Sequence, residues 1–300
     1  MDIVTTHDLH KRYGSRAVVD GLELRVPEGC VYGFLGPNGS GKSTTMKMLL
    51  SLVRPTSGEV HVLGRPMTPS TRRGLLAHIG SLIESPPGYG HLTGAENMRI
   101  VRRSLGLRAD QVDRAVRTVR LQDQLGKRVR DYSLGMKQRL GIAMALAREP
   151  RLLILDEPTN GLDPAGIEEI RALLHHLAED GVTVMVSSHL LGEIDKTATV
   201  LGILSSGRLI FQGTRDELLA ASTPDVLIET PDPQTGLEAL RHRMPVDLED
   251  GVLRLPGVDA EGTAAAVAEL VGAGAPVYGV RRDEQSLEDV FMDLTSGGRL

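Results

Sequence analysis

Tryptophan is absent from the 300 residues, and Phe and Tyr together bring the aromatic share to only 3%. A core built from this chain cannot lean on large rings. It must be packed from Leu, Val, Ile and Met, for which an apolar content of 41% is ample. A single cysteine, Cys30, excludes an internal disulfide and fits a reducing compartment, and its place beside an apolar run points to a small buried residue. No stretch approaches the ~20 consecutive apolar residues that a membrane-spanning helix needs. The opening MDIVTTHDLHKRYG lacks the apolar character of a signal segment, so a soluble, cytoplasmic chain is expected. Internal repeats and low-complexity tracts are missing as well.

Positive charge is in deficit, with a net −5, which argues against general affinity for nucleic acid. The deficit is uneven. Residues 99–130 carry ten Lys and Arg against three Asp, so this segment is +7 and the remainder −12. Such a stretch is either a solvated helix face or a surface turned toward anionic headgroups or an acidic partner.

Short apolar runs alternate with helical patterns, the signature of an α/β nucleotide-binding domain. VYGFLG (31–36) reads as a buried strand entering a Gly-rich turn, followed by the helix KSTTMKMLLSLV. HIGSLIE (78–84), RLLILDEP (151–158) and TVMVSSH (183–189) read as further strands. Residues 92–149 are mostly helical in pattern, broken near Gly106, Gly126 and Tyr132–Gly135. TVLGILSSGRLIFQG (199–213) reads as a hairpin turning at Ser206-Gly207. The texture then changes, and residues 222–300 give a β-α-β-β-α-β-α series, a separate small α+β unit. Its last helix begins Ser286-x-x-Asp289, a capping-box pattern, with Leu287, Val290, Phe291 and Leu294 on one face.

The chemistry begins at Gly36-Pro37-Asn38-Gly39-Ser40-Gly41-Lys42-Ser43, which fits the phosphate-loop pattern between a strand and a helix. Its glycines let backbone N–H groups wrap phosphates. Lys42 reaches the β- and γ-phosphates, and the Ser43 hydroxyl ligates Mg²⁺. Leu152–Leu155 followed by Asp156 supplies a buried strand ending in a carboxylate near the metal. Glu157, next in sequence, can orient or deprotonate the attacking water. His61, His78, His91, His175 and His176 show no metal-ligand spacing.

A further helix start, YSLGMKQRL, poses a question. Ser133 can cap it, Gly135 lets another group approach the backbone, and free N–H groups at such a mouth attract an anion. One phosphate cradle already exists, so this mouth needs another phosphate. Followed by LLILDEPTNGLDP and SSHL, YSLGMKQRL resembles the signature of the ATP-binding cassette family, commonly Leu-Ser-Gly-Gly-Gln, over residues 1 to about 220. The resemblance implies a phosphate-loop NTPase cassette over 1–221, with a helical subdomain at about 85–150, beside the accessory unit 222–300. It implies ATP and Mg²⁺ as ligands, with Tyr13 as the adenine platform and Gly36 to Thr44 around the phosphates. It also implies Asp163 in a dimer-contact loop and His189 as the switch histidine, catalytic with Glu157 and Lys42. In that family two domains pack head to tail, so Ser133, Leu134, Gly135 and Met136 would face the nucleotide held by a partner. With one set of motifs, a homodimer is the simplest closure, a heterodimer the other.

Two departures stand out. The signature has Tyr132, Leu134 and Met136 where Leu, Gly and Gln are common, while Ser133 and Gly135 are kept. The family's metal-contacting glutamine is here Glu84, within IGSLIESPPGYGHLTGAENM. Both variants resemble bacterial exporters of the bacitracin and lantibiotic type. The expected function is an ATP-hydrolysing subunit at the cytoplasmic face of the membrane, driving a separate transmembrane permease, with no nucleic-acid partner. The alternative is a soluble cassette acting on ribosomes or DNA. Ribosome-acting members usually carry two cassettes in one chain, and DNA-acting heads separate their motifs by long coiled coils. Here Gly36 and Asp156 are 120 residues apart.

Overall fold

Along Asp2–Tyr13 buried side chains are interspersed with exposed ones, and this segment forms the first strand, β1, of an antiparallel layer. The structure is a computed structural model that describes residues 1–189, 191–194, 197–221, 225–283 and 287–296. It divides into two compact units, Met1–Arg215 and Asp216–Leu300. In the first, β1 pairs with β2 (Arg16–Leu22) and β3 (Arg25–Pro27). The chain then enters β4 (Val31–Leu35), every residue of which is buried, as a strand covered on both faces must be. After α1 (Lys42–Leu49), β5 (Ser57–Val62) and β6 (Arg65–Pro66) complete the antiparallel layer, β5 beside β1. The apolar spacing of residues 1–30 carried no strand assignment at the sequence level, so this layer is a finding of the structure.

Helix α2 (Arg72–Leu76) leads to β7 (Ile79–Leu82), shorter than the run that suggested it. The helical subdomain follows with α3 (Gly94–Leu105), α4 (Ala109–Thr118) and α5 (Leu134–Leu146). The chain returns through β8 (Leu152–Asp156), α6 (Pro164–Glu179), β9 (Thr183–Ser188), α7 (Leu191–Ile194), β10 (Val200–Ser205) and β11 (Arg208–Gly213). The central sheet has the order β11-β10-β4-β9-β8-β7, parallel except for the β10–β11 hairpin. Ser206 (φ 49°) and Gly207 (φ 84°) turn that hairpin with two positive φ values. Between sheet and antiparallel layer lies a core that includes Tyr32, Phe34, Met46, Leu49, Ile154 and Met185. Cys30 is buried as expected, and burial pushes its thiol up to about 11.

Because parallel strands share a direction, everything that follows β4, β9 and β8 emerges at one sheet edge. The topology alone therefore gathers the phosphate loop, His189 and the Asp156–Glu157 pair.

In the helical subdomain Thr93 and Glu96 form a reciprocal capping box at the start of α3, and Gly106 (φ 66°) closes that helix. Arg108 and Arg114 both clasp Asp110, and Arg114 also holds Glu149, beyond the end of α5. These bonds hold the Asp110 carboxyl far below the usual range. Part of the basic segment is thus satisfied internally. Arg99, Arg102 and Arg103 carry no ion pair among the described residues. Tyr132, a departure in the signature, is buried: its hydroxyl donates to the Gln124 carbonyl at 2.8 Å, and a Cβ on Gly94 would lie 2.2 Å from that hydroxyl.

The second unit runs α8 (Arg215–Ala221, beginning at the boundary), β12 (Asp225–Glu229), α9 (Pro233–Leu240), β13 (Asp247–Glu249), β14 (Val252–Leu255), α10 (Ala260–Gly272), β15 (Gly279–Asp283) and α11 (Leu287–Ser296). Its antiparallel sheet is ordered β13-β14-β12-β15. Val226, Ile228, Leu253 and Leu255 pack under Leu240 of α9 and Leu270 of α10. Leu287, Val290 and Phe291 are buried; Ser286 and the side chain of Asp289 lie outside the described residues.

Tyr132→Phe should cost about 1–2 kcal/mol, because the Gln124 carbonyl loses its donor, and Tyr132→Ala roughly 3–5 kcal/mol through the cavity. Chemical denaturation of the two variants checks this order.

Candidate active site

The loop after β4 is shaped by close contacts. A Cβ on Gly36 (φ 153°) would lie 2.2 Å from the Leu204 carbonyl, and one on Gly41 (φ 110°) 2.6 Å from that of Val18. Neither position admits another side chain. A Cβ on Gly39 meets nothing within 4 Å, so that side of the loop is open. The Ser40 amide donates to Pro37 at 3.1 Å and closes the turn made by Pro37, Asn38 and Gly39. The Ser40 hydroxyl is buried without a partner among the described residues. Lys42, only 6% exposed, donates to the Gly36 and Pro37 carbonyls at 2.7 and 3.3 Å. Burial lowers its pKa, opposed by the charges of Glu157 and Asp156.

Asp156 ends β8, buried, and accepts from the Ser187 hydroxyl at 2.6 Å. The same hydroxyl accepts from the Glu157 amide at 3.0 Å, so one residue of β9 fixes both acids. Ser187 carried no role at the sequence level; its signal was its place on β9, two residues before His189. Glu157 sits at φ 50°, a region costly for a side-chain-bearing residue, as strained functional positions often are. Its carboxylate bonds His189 Nδ1 at 2.8 Å and lies 3.8 Å from Lys42 Nζ. Of the three residues expected to be catalytic, Glu157 thus joins the other two.

They line a cavity of about 530 Å³ together with Tyr13, Asn38, Gly39, Gly41, Ser43 and Thr44. Tyr13 is half exposed at its rim, with the Lys11 ammonium 4.8 Å over the ring. Arg16, Val18 and Asn160 also line it and carried no sequence signal.

A second cavity, about 310 Å³, opens between the starts of α5 and α6. Ser133 caps α5 by accepting from the Met136 amide at 3.2 Å, and Asp163 caps α6 by accepting from Gly166 at 3.2 Å. Leu134 and Gly135 line this cavity, with Met136 one position further along α5. Two helix mouths therefore face one space, and the phosphate loop does not line it.

Glu84 is placed apart from both. At φ 70° and largely exposed, it forms an ion pair with Lys47 in the last turn of α1 and lines neither cavity. For Mg²⁺ the donor set consists of hard oxygens: the Ser43 hydroxyl at the cavity wall and the Asp156 carboxylate tied to Ser187. That set fits an ion that keeps most of its other ligands as water and phosphate. Among the described residues no three His, Cys, Asp or Glu side chains form a metal cluster.

Glu157→Gln should leave ATP binding intact and slow hydrolysis by roughly 10²–10⁴-fold, measured by phosphate release against nucleotide affinity. Glu84→Gln breaks the pair with Lys47. Because that pair is exposed, melting should stay within about 1 kcal/mol of wild type, while the Mg²⁺ dependence of ATP binding shifts. Superimposable Mg²⁺ titrations would leave Glu84 without a role at the metal.

The family model described as ABC transporter matches residues 19–160. The bacitracin transport ATP-binding protein BcrA of Bacillus licheniformis is 39% identical over 99% of this chain and 99% of its own length. The lantibiotic transport ATP-binding protein SrtF of Streptococcus pyogenes is 43% identical over 70% of this chain and 90% of its own. Among solved structures, cbiO1 from Clostridium perfringens, part of the ABC transporter complex cbiONQ, superposes with a TM-score of 0.67 at 28% identity, covering 73% of this chain and 91% of that one. Phosphate loop, Glu157 and His189 line one cavity, and relatives match the chain end to end: it belongs to the ATP-binding cassette family, as the ATP-hydrolysing subunit of an ABC transporter.

Proposed function

We propose that two copies of this chain hydrolyse ATP at two shared sites and drive a separate transmembrane permease that exports a peptide antibiotic or a similar drug-like compound. The observation that carries the reading is the second cavity, where the capped starts of α5 and α6 present Ser133, Gly135 and Asp163 away from the chain's own phosphate loop. A helix mouth with spare N–H groups is an anion site, and a two-fold arrangement supplies the γ-phosphate of the other copy. Within each site Tyr13 stacks on the adenine, and the amides of the 36–44 loop with Lys42 hold the phosphates. Glu157, oriented by His189 and by the Ser187 hydroxyl, takes the proton of the attacking water. Ser43 and Asp156, with Glu84 once freed from Lys47, would hold Mg²⁺, which offsets phosphate charge when bound.

The antibiotic cargo rests on the names of the relatives, one of bacitracin and one of lantibiotic transport. No helix among the described residues is long and apolar enough to cross a membrane, so a permease would be another chain. Arg99, Arg102 and Arg103, unpaired and exposed on α3, give an electrostatic surface for meeting it or the cytoplasmic face of the membrane. Arg114 belongs to the internal network and is not part of that surface. Co-purification with the permease and an ATPase assay stimulated by candidate peptides tests the reading; a chain that associates with no membrane protein would overturn it.

Gly135→Asp tests the shared site. A Cβ there meets only Leu162, at 3.8 Å, so the fold tolerates the change. Hydrolysis should collapse by at least roughly 10²-fold, the scale of losing one anion-stabilising group, while ATP affinity of the monomer is kept. A parallel fall in monomer affinity would assign this helix to the chain's own nucleotide.

A further inference from the structure

The second cavity has a wall that phosphate binding does not require. Leu134 and Leu162 pack reciprocally across it: a Cβ on Gly161 would lie 3.1 Å from Leu134 Cδ2, and one on Gly135 would lie 3.8 Å from Leu162 Cδ2. Gly161 holds φ 75°, so the turn that brings Leu162 across needs a glycine there. Deeper in the same wall, Arg139 of α5 donates to Glu169 of α6 at 2.6 Å. Each partner stands six residues beyond the cap of its own helix, Arg139 after Ser133 and Glu169 after Asp163. The bond therefore ties the two helices at equal depth below their mouths.

We infer that Arg139 and Glu169 are positioning residues which, with Leu134 and Leu162, lock the Ser133 mouth and the Asp163 loop into one docking element for a second copy of the chain. The inference rests on the shared-site reading above. Two mouths that must meet a partner together lose affinity if each is ordered separately on contact; a pre-tied pair avoids the second ordering step. It also gives Leu134, the residue that departs most in size from the family's glycine, a function: it fills the space over Gly161. Glu169 is more than half exposed, so the pair adds little to folding and its effect belongs in docking.

The test uses the full chain carrying Glu157→Gln, with ATP-dependent dimerisation followed by analytical ultracentrifugation. ATP binding to the monomer and the melting temperature are recorded alongside. Arg139→Gln and Glu169→Gln should each weaken dimerisation by roughly tenfold, the scale of a coupled pair, with monomer binding and melting unchanged. The double variant should be no worse than either single one, and Arg139→Glu with Glu169→Arg should recover most of the loss. Unchanged dimerisation, additive losses, or a large fall in melting temperature would each overturn the inference. Gly135→Asp in the same background separates the two readings. If it abolishes dimerisation while the Gln variants do not, only the positioning role falls. If the parent stays monomeric with ATP, the shared site falls and this inference with it.

Discussion

An ammonium with 6% exposure has to be surrounded by oxygen, and the loop around Lys42 is shaped by that demand. The Gly36 and Pro37 carbonyls turn inward to accept from it, which forces the chain through φ 153° at Gly36, against the Leu204 backbone. Glu157, 3.8 Å away, supplies the opposing charge, and Glu157 is in turn held by Ser187 and His189. Removing the lysine would leave Glu157 facing empty carbonyls; removing Glu157 would leave the lysine with dipoles and the charge of Asp156. The cradle and the catalytic acid are thus one electrostatic unit, carried by three neighbouring parallel strands whose ends coincide at one edge.

A site built that way is complete for binding nucleotide and incomplete for closing over it. In the proposed two-fold arrangement the wall that would close it comes from a separate cavity, at the starts of α5 and α6 of the other copy. Both starts are side-chain capped, by Ser133 and by Asp163, which leaves their remaining N–H groups available. On that reading, separating cradle and lid on one polypeptide would make closure a matter of two-fold symmetry, and the stiffness between the two lid elements would set how well they meet the nucleotide together.

The phosphate loop, the acid pair and His189 were readable because each needs particular residue types in consecutive order, and such patterns survive without knowledge of the fold. The five parallel strands of the central sheet were readable as apolar runs, since a strand covered on both faces has no alternation to hide. The antiparallel layer of β1, β2 and β5 was not, because DIVTTHDLHKRY mixes buried and exposed residues with a register shift between Leu9 and Lys11. Contacts between distant residues left no trace either. Ser187 reaching Asp156, Arg139 reaching Glu169 and Tyr132 reaching Gln124 are products of topology, legible only once the strands and helices are placed. The even +7 charge of residues 99–130 concealed two populations, arginines such as Arg114 spent on Asp110 and Glu149, and others left to solvent.

Glu84 was the residue for which sequence and structure pull apart, and α1 explains why. This helix carries Lys42 at its first position and Lys47 in its last turn, where a cation is favoured by the helix dipole. Each lysine has taken a glutamate: Lys42 faces Glu157, and Lys47 binds Glu84. A glutamine at position 84 could donate and accept but would have no charge for Lys47 to hold. The carboxylate therefore has two claimants, the helix it now rests against and any divalent ion brought by the nucleotide. Under the proposed function, a doubly charged ion reaching Glu84 would outcompete the single charge of Lys47, and arrival of the metal would be linked by charge to release of Lys47. Because α1 joins the two lysines, the loop bearing Glu84 and the cradle bearing Lys42 would then answer to the same event.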